Sequence, residues 1–578
     1  MSGPRRLTRP LPALLLVSVG ALLVRLFRLG ERVAHQDEGR VGDWILHYVA
    51  TGQWDYRPII HGPFLPHVNG TVFSVLGPSD FTARLVVAVV GALLPLAALL
   101  FRDHLRDTEV VAMGLFLAAN PILIYYSRFM RNDLPLAAFV LVTVGFALRA
   151  IDRPERRPHY LALATFFFAL AFTTKENALL YPVAWAGSLA LVADRRLLAR
   201  ESPLPRRLVG ALARADARTV GRGGLLAVAL FVEFFVVFVA FYAPKPDLYH
   251  ALADPTKLPG VLSAATVGVW HEFANTWLVS GMHDHSVVAF LGKFLEILAV
   301  GGAPLVVFAA FGFLVDRYGD DPRAIVGFFS YWGFASIVGY AISTDIMAGW
   351  TAVHVLVPLA LPAGVGVAYL YRRGRAAHES GDRVGASAAA VVLLLVAATT
   401  GGVAVWANFQ AEQSPDNPIV QYAQPSGEMK PTLHEIERIS TANDGVDVLF
   451  YGSEFYAPND TAKSYGPASP GWFARLPLPW YFDQYGANVS SAKAVSELED
   501  GAPPVVVALE RDAPEIERNL DGYSRVTHQG YLWGRPLVFF VSEDAPRAST
   551  TLVNESVQVE HRPSPVASAS VDGQGRRP

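Results

Sequence analysis

Residues 11–29 read LPALLLVSVGALLVRLFRL, an apolar run whose only charges are Arg25 and Arg28. A helix of that length, rising about 1.5 Å per residue, crosses the roughly 30 Å of hydrocarbon in a bilayer. Comparable stretches recur near residues 82–101, 109–126, 134–150, 160–173, 178–193, 224–243, 296–315, 324–343, 350–371 and 386–406, which makes about eleven spans. Backbone inside hydrocarbon has no water to bond to, so each stretch must close its own hydrogen bonds as a helix. The expected fold is therefore an all-α polytopic membrane protein. The first run is read as an anchor and not a cleaved signal, because its apolar part is long and "GERVAHQ" offers no small-residue cleavage site.

Composition narrows the chemistry. The chain has 578 residues, 52% of them hydrophobic, and no cysteine. Disulfides, iron–sulfur clusters and thiolate zinc sites are thereby excluded. Lys and Arg are concentrated at the N-terminus, in "DRPERRPHY" (152–160), across 194–223 and in "YRRGRAAHESGDR" (371–383). The positive-inside rule makes these segments cytoplasmic, and an odd number of spans then places the C-terminus outside. Glu233, inside the span 224–243, costs about 2.5 kcal/mol or more at mid-membrane and is expected to face the bundle interior.

The domain reading is a transmembrane domain over 1–408, an extracytoplasmic α/β domain over 409–545 and a disordered tail over 546–578. Strand-like runs "VDVLFYG" (446–452), "PPVVVALE" (503–510) and "PLVFFVS" (536–542) are interleaved with helix-like "TLHEIERIS" (432–440) and "SAKAVSELED" (491–500). The tail is rich in Ser, Pro and Gly.

With this topology the unusual polar clusters fall on one face. "HQDEGR" (35–40) and "HGPFLPH" (61–67) share the first outer loop. "YSRFMRND" (126–133), "TTKEN" (173–177), "HEF" (271–273), "GMHDHS" (281–286) and "STDIMAGW" (343–350) occupy later ones. Each cluster alone has an ordinary reading. Asp37 and Glu38 suit a solvated loop, Arg128 and Arg131 suit snorkelling to headgroups, and Lys175 with Glu176 suits a surface pair. His283 and His285, two positions apart, are a weak metal signal.

Their joint arrangement resembles the GT-C glycosyltransferases, membrane enzymes that use lipid-phosphate-linked sugars. Within these it is most similar to the protein O-mannosyltransferase and aminoarabinose-transferase branch. The carrying residues are "DE" (37–38), "HGPFL" (61–65) in place of that branch's Pro-Pro-Leu element, "SRFMRND" (127–133) and "TKEN" (174–177). The chain departs from the pattern after the lysine, where Glu176-Asn177 replaces a Gly-Pro-like pair. The whole chain is similar to an archaeal family associated with flippase activity in surface-protein glycosylation.

The resemblance implies transfer of a sugar from a polyprenyl (dolichyl) phosphate to a glycan or protein acceptor at the outer face of the plasma membrane, by a hexosyltransferase-type enzyme. No nucleic acid is expected as a partner. Such transfer needs a base for the acceptor and cations for the departing phosphate. Asp37 is the candidate base. Glu38 either raises the pKa of Asp37 or shares a divalent metal with it. Arg128, Arg131 and Lys175 are the candidate phosphate ligands, with His61, Asp133 and Glu176 as further substrate-side residues. A metal at Asp37, Glu38, His283 and His285 would be Mg or Mn by the oxygen ligands and Zn by the histidines. The alternative is a lipid-linked sugar flippase or a non-catalytic accessory to one, whose polar residues bind the headgroup without chemistry.

Overall fold

Among the residues described in this computed structural model (10–198, 217–279, 285–344, 346–457, 469–497, 502–532 and 534–549), six helices are long and apolar enough to cross a membrane alone. They are Asp80–Phe101, Asp133–Asp152, Val220–Tyr242, Ala324–Ser343, Gly349–Glu379 and Arg383–Gln410. Helices Pro10–Leu26, Arg157–Thr174 and Leu180–Leu198 stand at three more of the expected positions. The remaining two expected spans are broken. Residues 109–126 divide into Asp107–Ala119 and Pro121–Ser127 at 55°, and residues 296–315 fall across Val287–Gly301 and Ala303–Arg317 at 93°.

The two breaks share a meeting point. A residue before proline avoids the helical region, and Asn120 is extended at φ −61°, ψ 129°. Its side-chain oxygen accepts from the amides of Ile122 and Leu123 at 3.0 and 3.1 Å, restarting the helix. Its side-chain amide donates to the Gly301 carbonyl at 3.0 Å, at the break of the other pair. A Cβ on Gly301 would come within 2.5 Å of Ile122, so glycine is what lets the two bends touch.

Helix Val353–Glu379 is the axis of the bundle and is buried along most of its length. It packs against Ala303–Arg317 backbone to backbone: a Cβ on Gly312 would lie 2.0 Å from the Pro362 carbonyl, and one on Gly366 would lie 2.4 Å from that of Phe308. Helix Ala217–Tyr242 lies at the edge of the bundle instead. Glu233 is half-buried there and not enclosed, contrary to expectation, because this helix packs one face only against its neighbours.

"HQDEGR" is not a loop but the start of helix Gln36–Thr51. His35 is the N-cap: its Nδ1 accepts from the Asp37 amide at 3.0 Å, and Glu38 accepts from the His35 amide at 3.0 Å. Two carboxylates in a first turn also suit the positive end of the helix dipole.

The C-terminal part is a five-stranded sheet in the order β2-β1-β3-β5-β4, from β1 (Val448–Tyr451), β2 (Val489–Ala492), β3 (Val505–Leu509), β4 (Tyr523–Tyr531) and β5 (Gly534–Ser542). β1 runs parallel to β2 and β3, while β5 is antiparallel to β3 and β4. The three expected strands and the helix at 432–440 are present, the last as Met429–Ala442. The expected helix at 491–500 is corrected: it begins as the end of β2, followed by a short turn at Val495–Glu497. Edge strands β2 (VSSA) and β4 (YSRVTHQGY) are rich in polar residues and lack the continuous apolar run of the central strands. Most of the expected disordered tail, from residue 550 on, lies outside the described residues.

This sheet domain is locked onto helix Gln36–Thr51. A Cβ on Gly39 would lie 2.6 Å from Pro477, and one on Gly42 would lie 2.5 Å from the Trp480 ring. Beside them Asp80 accepts from Trp480 Nε1 at 2.8 Å and the Tyr481 hydroxyl at 2.9 Å, and pairs with Lys430. The domain thus closes over the helix that carries Asp37.

Candidate active site

Where the helical body meets the C-terminal domain, a cavity of about 790 Å³ opens. Asp37, Arg40, His61, Arg131, Lys175, Glu176, Trp277, Thr344, Trp350 and Tyr422 line it. Six of the seven polar clusters singled out above therefore reach one space. Its apolar wall is built from Ile59, Leu179, Leu180, Trp270, Phe273, Leu278 and Ile346.

Asp133 organises the cations. It is buried and accepts from Lys175 Nζ at 2.9 Å, from Arg131 Nε at 3.3 Å and from His354 Nε2 at 3.2 Å. His354 is fixed in turn by the Tyr181 hydroxyl, 2.6 Å from its Nδ1, and by the parallel Tyr340 ring. The Arg131 guanidinium carbon lies over Trp350, 3.5 Å from the ring centroid. Its Nη1 pairs with Asp37 and its Nη2 stands 3.4 Å from His61 Nε2. Lys175 gives one of its three N–H donors to Asp133, which leaves two for a ligand.

Asp37 is half-buried and also accepts from Arg40 at 2.6 Å. Burial alone would raise its carboxyl, but Arg131 and Arg40 outweigh burial and hold it well below the usual carboxylate range. Asp37 is thus charged throughout the physiological range.

His61 and Glu176 face each other across the cavity edge. His61 Nδ1 lies 3.1 Å from one Glu176 oxygen, and the Tyr56 hydroxyl donates to the other at 2.8 Å. Their two loops are pinned by Gly62, whose amide donates to the Thr174 carbonyl at 2.9 Å. A Cβ on Gly62 would sit 2.3 Å from the Thr173 carbonyl oxygen, against backbone that cannot yield. Gly62→Ala is accordingly expected to move His61 away from Lys175 and to lower turnover by roughly 100-fold, with a smaller effect on melting temperature. Parallel rate and melting measurements check this, and unchanged turnover would refute the close fit.

Three sequence-predicted residues, Glu38, Arg128 and His285, stand elsewhere. Glu38 does not reach the cavity. It is buried and takes four kinds of donor: Arg84 at 2.8 and 2.9 Å, Arg32 at 3.1 and 3.2 Å, the Met130 amide at 2.9 Å and the His35 amide at 3.0 Å. Arg128 turns back to cap helix Pro10–Leu26, donating to the carbonyls of Val24, Arg25 and Phe27 at 3.1, 3.0 and 2.5 Å and stacking on Phe409. The helix end offers bare carbonyls that a guanidinium satisfies.

These positions do not fit the expected metal. Every oxygen of Glu38 is taken, Asp37 faces two guanidiniums, and His285 Nε2 lies 3.1 Å from the Ala341 carbonyl. His283 lies outside the described residues. Among the described residues no three His, Asp or Glu side chains gather as a metal group requires.

Sequence reasoning quoted Arg40 and Trp350 within HQDEGR and STDIMAGW but gave them no role, and it did not find Arg32, Arg84, Tyr56, Tyr181 or His354. Of these five only His354 left a signal, as a histidine within an apolar run. The others depend on which helices become neighbours.

Comparison with known proteins agrees with the early resemblance. Residues 60–215 match the family model described as dolichyl-phosphate-mannose-protein mannosyltransferase. Residues 429–543 match the Agl23 flippase-associated protein C-terminal domain. No curated protein matches the chain in sequence. Among solved structures, apo ArnT from Cupriavidus metallidurans is similar at TM-score 0.53 and 18% identity, over 91% of this chain and 97% of that one. The same protein bound to undecaprenyl phosphate gives 0.54 and 17%, over 93% and 99%. The archaeal oligosaccharyltransferase AglB from Archaeoglobus fulgidus, in complex with an inhibitory peptide and a dolichol-phosphate, gives 0.50 and 13%, over 87% and 70%. At these identities the likeness to solved structures is one of fold.

Proposed function

We propose that this chain, a member of the GT-C glycosyltransferase superfamily with the Agl23 flippase-associated C-terminal domain, transfers a hexose from a polyprenyl-phosphate carrier to a hydroxyl of a glycan or protein. One observation carries the reading. Arg131 and Lys175 stand side by side in the cavity, both held by the buried carboxylate of Asp133. A phosphodiester brings one negative charge to that place and leaves as a dianion, so fixed cations favour the departing state. The apolar wall beside them suits a prenyl chain, as the ArnT and AglB complexes with lipid phosphates suggest for this fold.

Asp37 receives the acceptor's proton in this reading. When the carrier phosphate draws Arg131 toward itself, Asp37 loses its strongest cationic partner and gains basicity. Loss of activity without loss of fold is then the signature of its substitution.

The experiment is incubation of the purified protein with candidate polyprenyl-phosphate sugars and an acceptor, following free lipid phosphate. Acceptor-dependent release supports transfer, whereas carrier binding with no release favours a lipid-handling accessory. We further place the cavity at the extracytoplasmic face, on the distribution of Lys and Arg along the chain. Protease added to intact cells is expected to remove the domain beyond residue 410, and its full protection would refute that orientation.

A further inference from the structure

We propose that His61, held by Glu176, is the group on which the acceptor's proton finally rests, so that the pair is a catalytic element in addition to Asp37. The inference rests on the transfer reaction proposed above. Its first support is positional. His61 and Glu176 come from loops 115 positions apart and meet at 3.1 Å on the wall of the cavity that holds Asp37, Arg131 and Lys175.

The hydrogen bonds fix the imidazole's form. An ionised carboxylate only accepts, so the Glu176 contact places the proton of neutral His61 on Nδ1. Nε2 then carries the lone pair, and its neighbour is Arg131 Nη2, at 3.4 Å. The same guanidinium holds Asp37 through Nη1. Asp37 and His61 Nε2 therefore flank a single guanidinium, and a hydroxyl that replaces it at Asp37 arrives beside Nε2. His61 also holds φ +66°, ψ −158°, a strained conformation for a non-glycine residue. The Gly62–Thr174 bond and the ring of Trp277, parallel to within 15°, keep it there.

The division of labour follows from charge. When Arg131 turns to the carrier phosphate, Asp37 still faces Arg40, so it takes the hydroxyl's proton first but retains it poorly, and the proton passes on to His61. His61 faces Glu176, with Tyr56 behind it, and Lys175, Arg131 and Asp37 from the other sides. Burial and then Lys175 lower its pKa while Glu176 raises it, so it is neutral near pH 7 and able to accept. In the step itself, the acceptor oxygen bonds to the anomeric carbon as the bond from that carbon to the phosphate oxygen breaks. The electron pair leaves with the carrier phosphate. The acceptor's proton ends on Nε2, giving an imidazolium paired with Glu176, and passes to water after release.

The test is the pH dependence of kcat between about pH 5 and 8 for the parent, His61→Gln and Glu176→Gln, with polyprenyl-phosphate affinity and melting temperature measured alongside. Gln keeps hydrogen bonding but cannot take a proton. The parent should lose rate on the acid side through one ionisation. His61→Gln should lower kcat by about 100-fold and abolish that limb without loss of carrier affinity. Glu176→Gln removes a negative charge beside the imidazole, so its acid limb should shift to lower pH, a change that a mere brace between loops does not produce. An acid limb that persists in His61→Gln, or that stays in place in Glu176→Gln, overturns the proposal, as does a flat parent profile. Should His61→Gln fail to fold, the parent and Glu176→Gln profiles decide. A parent that binds carrier yet transfers nothing overturns the function and this inference together.

Discussion

Asp37→Asn is expected to lower sugar transfer by about 100- to 10,000-fold while leaving the fold intact. Asn is nearly isosteric and keeps a carbonyl acceptor, but it has no charge and takes no proton. Little packing depends on the residue, which is half-buried at the cavity edge. Arg131 keeps its contacts with Asp133 and Trp350, so the cation site survives. Carrier affinity should hold or rise, because the phosphate no longer competes with Asp37 for the guanidinium. Release of lipid phosphate, carrier binding and melting temperature, compared with the parent, check all three. Normal release from a folded variant would take Asp37 out of the mechanism.

The neighbouring carboxylate has the opposite profile. Glu38→Gln should destabilise the protein by about 3 to 5 kcal/mol, the usual consequence of breaking a buried ion pair from one side. Arg84 and Arg32 would face an amide that can donate where they need an acceptor, and neither is exposed enough to recruit water. Glu38 also caps its own helix and anchors the Met130 amide, just ahead of Arg131. Burial would raise its carboxyl, yet Arg32 and Arg84 bring it down from 4.5 to about 2. Because the folded value is depressed, this stabilisation is present above about pH 4.5 and is lost as pH falls toward 2. A melting temperature equal to the parent's would show that the cluster is dispensable. A fall in turnover without a fall in stability would return Glu38 to the chemistry.

Asp37 and Glu38 thus show where sequence reading stops. Adjacency in the chain suggested a shared task, either mutual repulsion or a common metal. In the first turn of a helix, successive side chains point about 100° apart. One carboxylate therefore enters the cavity and the other enters the protein. Arg128 and Arg131 diverge similarly, one to a helix end and one to the site. The residues that only the structure reveals come from distant elements: Arg84 lies 46 positions from Glu38, and His354 lies 221 from Asp133.

The apolar runs by themselves determined a helical membrane body, because unpaired backbone is too costly in hydrocarbon and a span needs a minimum length. β-branched runs determined the small α/β domain's central strands, and the order of short motifs carried the resemblance with which the match over residues 60–215 agrees. Tertiary structure decided how the two bent spans meet, since Asn120 and Gly301 come together only after folding. It alone decided which charges share the cavity. Hydropathy is a property of each residue and survives in the sequence. A side chain's partners depend on helix phase and on close approaches such as Gly39 on Pro477 and Gly62 on Thr173, which only the packed chain specifies.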